Sequence, residues 1–123
     1  MILPIVAYGD AVLRKKASTI PSNYPNFKEL IANMYDTMYN AEGVGLAAPQ
    51  VGLPIRVFLV DASPFAEDES LSEDERETLK NFKCTFVNAE LLIEEGDEWV
   101  FSEGCLSIPN IREDVFRKPK IKI

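Results

Sequence analysis

The order helix, glycine-rich loop, buried strand between residues 26 and 61 constrains this chain more than any other stretch. From about Asn26 to Asn40, the residues Phe27, Leu30, Ile31, Met34, Tyr35 and Met38 recur at steps of three and four. That spacing places them on one face of a helix. Pro25 stands near its start and Gly43 just past its end, the usual punctuation of a helix. Residues 43–54, GVGLAAPQVGLP, then read as a Gly/Pro-rich loop. Residues 55–61, IRVFLVD, are β-branched and apolar and read as a buried strand.

The flanks are less patterned. Residues 10–15, DAVLRK, fit a short helical turn starting at Asp10, and residues 16–25 read as loop. Residues 62–82 hold Glu67, Asp68, Glu69, Glu73, Asp74, Glu75 and Glu77. They read as a solvated acidic insertion that ends in a short exposed helix near 72–81. The plain alternative is a charged surface loop without function. From Lys83 onward the chain is β-rich. Cys84–Val87, Glu90–Ile93 and Glu98–Phe101 are strand candidates, with residues 94–97 as a hairpin turn between the last two. Residues 111–116 and 119–123 add two more strands. The last ends with nothing to cover it, which suggests an incomplete unit.

Composition narrows the chemistry. The 123 residues make one domain by size. They carry 20 acidic against 13 basic side chains, a formal charge of -7, which disfavours nucleic-acid binding through net field. There is no histidine. A Ser-His-Asp triad, a Cys-His dyad and a histidine zinc helix are therefore excluded within this chain. Two cysteines are too few for a disulfide framework and suit a reduced, cytosolic protein. The N-terminus lacks the basic start of a secretory signal, and no apolar run matches a membrane span.

Two short constellations remain. GVGLAAPQ, Gly43 to Gln50, contains the loose pattern G-x-G-x-x-A, but it leaves a helix and enters a strand. Dinucleotide loops do the reverse, so phosphate binding is disfavoured. Its glycines fit either a tight turn or a site wall where a ligand approaches bare backbone. Gln50 would there supply a neutral amide donor suited to an oxyanion. EGCLSIP, Glu103 to Pro109, puts Cys105 on a turn after a strand. A cysteine nucleophile has no base here, and Glu103 nearby would oppose thiolate formation. A metal would deprotonate the thiol outright, which makes Cys105 a candidate metal ligand, although one ligand is not a site. The alternative for Cys105 is a small buried core cysteine. Cys84 reads as structural, Met34 and Met38 as core, and Trp99 as packing or hairpin surface.

Taken together, Gly43-Val44-Gly45-Leu46-Ala47-Ala48-Pro49-Gln50 and Glu103-Gly104-Cys105-Leu106-Ser107, with IRVFLVD between them, resemble the first two signature motifs of peptide deformylase. The helix end MYDTMYNAEG and the opening ILPIVAYGDAVLRKKA fit the same family, so the likeness covers the chain apart from the acidic insertion. It implies an α+β fold with one long N-terminal helix and an antiparallel or mixed sheet. It implies a metallohydrolase that removes the formyl group from the initiator methionine of new bacterial or organellar proteins, in the cytoplasm. The metal is Fe2+, replaceable by Zn2+, Ni2+ or Co2+, and Cys105 is one ligand. Gln50 and the backbone N–H of Leu106 hold the formyl oxygen. Gly43, Val44 and Gly45 line the bound N-formyl-methionyl peptide, and Arg112 stands at the substrate entrance.

The resemblance also implies a third motif, His-Glu-x-x-His, with the other two ligands and the general acid/base, and this sequence does not contain it. The expectation is a single incomplete domain over 1–123, inactive by itself. The alternatives are a fragment that binds peptides or self-associates through its exposed final strand, and a cysteine hydrolase using Cys105. Ribosome contact is a family expectation; no membrane or nucleic-acid partner is expected.

Overall fold

A computed structural model describes residues 1–123. The apolar stripe forms helix α1, Phe27–Asn40, and its buried residues are Met34, Thr37 and Met38. Thr37 is the polar member of that face, and it is satisfied. Its hydroxyl donates to the Asn33 carbonyl (2.7 Å) and accepts from the N–H of Leu3 (2.8 Å). Asn26 makes no side-chain cap, and Tyr24 packs edge-on against Phe27 at this end of the helix. Packing rather than capping fixes where α1 begins.

Strands β1 (Gly45–Ala47), β2 (Val57–Asp61) and β3 (Lys83–Val87) form an antiparallel sheet in that order. β2 alternates as a half-buried strand must: Val57, Leu59 and Asp61 are buried, while Phe58 stacks on Phe86 across the other face. Ile20, Met34, Met38, Leu46, Ala48, Val57 and Leu59 make the core between α1 and this sheet. Burying each larger apolar side chain contributes about 1.5–3 kcal/mol.

Residues 43–54 are not simply loop. They contain β1 and a 3-10 turn, Ala48–Val51. A three-residue strand is too short to show an alternation; it exists because Gly45, Leu46 and Ala47 find Val60, Leu59 and Phe58 opposite them.

The acidic segment has more structure than a solvated loop. A 3-10 turn, Ser63–Glu67, precedes helix α2, Glu73–Lys80. Ser72 caps α2, accepting from Glu75 N–H (3.2 Å), and three carboxylates in the first turn suit the helix dipole. Arg76 Nε donates to the Ala66 carbonyl (2.7 Å), which ties helix to turn.

The C-terminal third corrects one expectation. β5 (Trp99–Cys105) and β6 (Ile108–Arg117) form a hairpin with a bulge at Gly104/Cys105. β4 (Ile93–Glu95) pairs with β7 (Lys120–Lys122), not with β5 through a turn at 94–97. Both ladders belong to one long excursion, interrupted where Pro119 has no N–H to donate. Gly96, at φ 96°, allows the crossing: a Cβ there would lie 2.5 Å from Pro119 Cγ. The fold is α+β, and no helix is long and apolar enough to cross a membrane.

Candidate active site

The helix–loop–strand unit and the β5–β6 hairpin meet in an open cleft of about 830 Å³. Gly43, Val44, Gly45, Gln50, Cys105, Leu106 and Arg112 all line it, so the structure brings together every candidate residue of both motifs.

Gln50 is held in one orientation. Its Oε1 accepts from the N–H of Ala47 (3.0 Å), which turns Nε2 toward the cleft. Nε2 then donates toward Cys105 Sγ (3.6 Å) and Ser107 Oγ (3.3 Å). A carboxamide fixed through its oxygen is a preorganised donor at the place where the Cys105 thiol is exposed. Ser107 itself is buried.

The glycine at 43 has a steric reason. Its missing Cβ would lie 2.7 Å from Leu106 Cδ1, so the two motifs touch there. β1 is an edge strand, paired to β2 alone, and its other edge is unpaired within the sheet. A row of backbone groups on such an edge can accept an extended peptide.

Two charged groups of the hairpin are already engaged. Arg117 forks onto Glu103 with Nε and Nη2 at 2.7 and 2.6 Å from the two carboxylate oxygens. These hydrogen bonds hold the Glu103 carboxyl below its usual range and push the Arg117 guanidinium up. Glu103 therefore does not face Cys105 as a free charge. Arg112 lines the cleft, but its guanidinium donates to Ser102, by Nη2 to the carbonyl (2.6 Å) and by Nε to Oγ (3.3 Å).

The N-terminal segment staples the two motifs together. Val6 N–H donates to the Gln50 carbonyl (2.8 Å) and Tyr8 N–H to the Ser107 carbonyl (2.9 Å).

The family model described as polypeptide deformylase matches residues 2–123. The chain belongs to the polypeptide deformylase family. A peptide deformylase of Flavobacterium johnsoniae is 66% identical over all 123 residues, and this chain spans 63% of that protein's length. Among solved deformylases, the Thermotoga maritima structure superposes with a TM-score of 0.80 at 35% identity, covering 98% of this chain and 71% of that one. An Acinetobacter baumannii class I type b deformylase bound to Met-Ala-Ser gives 0.82 at 27% identity, with 98% and 74% covered.

The deformylase family depends on a metal, and this chain's residues alone do not build a metal site. No three His, Cys, Asp or Glu side chains converge anywhere in the structure. Cys105 is a single donor, and the chain has no histidine. Sequence reasoning about the deformylase motifs missed three contributors: Arg117, Phe65 of the acidic segment, and the Val6–Tyr8 staple. Only strand register reveals the first, because Arg117 reaches Glu103 along one face of the hairpin. Phe65 and the staple carry no local signal of their own.

Proposed function

We propose that this chain supplies the substrate-binding part of a peptide deformylase, which hydrolyses the N-formyl group from the initiator formyl-methionine of newly made proteins. The observation that carries this is Gln50: its Nε2 stands at Cys105 Sγ while its Oε1 is fixed on Ala47. In this reading Gln50 Nε2 and the Leu106 N–H donate to the formyl oxygen as charge develops there. Gly43, Val44 and Gly45 present bare backbone and the free edge of β1 to the extended peptide. Arg112 lies at the rim, where release from Ser102 would free its donors for the peptide backbone.

Cys105 is the donor that this chain would offer the metal, Fe2+ in the first instance, with Zn2+, Ni2+ or Co2+ as substitutes. The remaining donors and the general base have to come from outside these 123 residues. The bacterial relatives and the substrate class support a cytoplasmic setting near the ribosome. The test is deformylation of formyl-Met-Ala-Ser by the protein as its source makes it, compared with the 123-residue chain alone. Turnover by the former supports the reading; absence of turnover after metal loading removes it.

A second reading, a non-catalytic module that binds peptides or self-associates, has one observation in its favour. β7 is exposed throughout, with Ile121 60% accessible, and Ile123 just past its end is 47% accessible. Dimers on a sizing column that disappear on Ile121→Lys would support it.

A further inference from the structure

The acidic segment begins beside the cleft. Asp61 ends β2, and its N–H donates to the Val44 carbonyl (2.8 Å). Its carboxylate accepts from Tyr39 Oη (2.5 Å) and from Ser63 N–H (3.0 Å). The next residue, Ala62, donates to the Phe82 carbonyl (2.9 Å), so both ends of the segment are tied at one point. The 3-10 turn that follows is anchored again by Arg76 on Ala66.

These ties hold Phe65 over the cleft. Its ring packs edge-on against Phe101, 6.0 Å between centroids, and both rings line the cavity. Phe101 lies on the same face of β5 as Glu103, because alternate residues share a face, and both line the cleft. Trp99 also packs edge-on against Phe101, 5.2 Å between centroids. Phe65 nevertheless remains 40% accessible. An insertion that served only solubility would have no use for a half-exposed phenyl ring braced at this point.

We propose that Phe65 is a specificity-determining residue: with Phe101 it forms an aromatic wall that contacts an apolar side chain of the bound peptide. The acidic segment is then part of the substrate site. An edge-to-face pair offers an apolar surface that gains from a large aliphatic or thioether side chain and gains little from alanine. The inference rests on the deformylase reading above.

The test uses the metal-loaded protein as its source makes it. Formylated tripeptides carry either a large apolar side chain or alanine at one position at a time, and kcat/KM is measured for each. Wild type should prefer the large side chain. Phe65→Ala should cut that preference by roughly tenfold at one position, through KM more than kcat. Phe65→Leu should keep most of the preference. Phe82→Ala, which alters an exposed ring away from the cleft, should keep all of it. If Phe65→Ala does not fold, Phe65→Val carries the same comparison, with a smaller cut in the preference expected. An active wild type whose preference is unchanged when Phe65 is shortened to alanine or valine overturns the role of Phe65 and leaves the deformylase reading standing. A wild type inactive on every formylated peptide removes both.

Discussion

The carbon that Gly43 lacks would lie 2.7 Å from Cδ1 of Leu106 and 3.4 Å from its Cγ. The first motif and the second are therefore in van der Waals contact, with no room for a side chain at 43. Gly43→Ala must push Leu106 aside, which should destabilise the fold by roughly 1–3 kcal/mol. Leu106→Ala in the same chain should restore part of that loss. A double-mutant cycle by urea unfolding measures the coupling, and strictly additive values would mean that the two residues do not press on each other.

Gln50 makes two separable contacts, one through its oxygen and one through its nitrogen. Gln50→Glu keeps an oxygen to accept from Ala47 but removes the amide donor aimed at Cys105. Deformylation by the protein as its source makes it should fall about 10²–10³-fold in kcat, with unfolding stability little changed. An unaltered kcat would take the donor role away from Gln50.

The Tyr39–Asp61 hydrogen bond sets a pH window for stability. The bond to Tyr39, then those to Ser63, hold the Asp61 carboxyl below its ordinary range. Burial, then the hydrogen bond to Asp61, push Tyr39 up to about 12. A lowered carboxylate contributes above its unfolded pKa and loses that contribution as pH falls through its folded one. A raised phenol contributes fully below its unfolded pKa near 10, and the contribution disappears as pH rises toward about 12. Tyr39→Phe should therefore cost roughly 1–2 kcal/mol near neutral pH and progressively less toward both extremes. Denaturant midpoints of the two proteins across pH check this; parallel curves would contradict it.

Arg117 acts on Glu103 through a two-pronged contact that lysine cannot reproduce. In Arg117→Ala the Glu103 carboxyl should rise back toward the ordinary carboxylate range. In wild type it should titrate below that. The pair is partly exposed, so stability should change by less than about 1 kcal/mol. Side-chain carboxyl NMR titration separates the two, and equal values in both proteins would contradict the pairing.

How far the sequence reveals this molecule depends on the range of the interaction. α1 and β2 are legible because their periodicity is a local property of residues 27–40 and 57–61. The site residues are legible as two motifs, and the structure gathers them in one cleft. The partner of β4 is not legible. Gly96 makes a bend and not the hairpin turn that residues 94–97 suggest, and which strand lies against Ile93–Glu95 is settled by Pro119 and β7, far along the chain. Phe65 is hidden for a related reason. It sits among carboxylates in a segment whose composition speaks of solvent, and only the ties at Asp61 and Arg76 turn it inward.

The Val6 and Tyr8 contacts have a consequence for how the protein comes into being. The opening residues emerge first during synthesis, yet Tyr8 finds its acceptor only when Ser107 has been made, about a hundred residues later. Closing so long a loop carries an entropic cost, which the contact of Val6 with Gln50 and the packing of Leu106 against Gly43 help to offset. The far end of the cleft is therefore joined late, after α1 and its sheet have formed, and until the second motif arrives the leading segment is held only by its earlier partners, Leu3 on Thr37 and Val6 on Gln50.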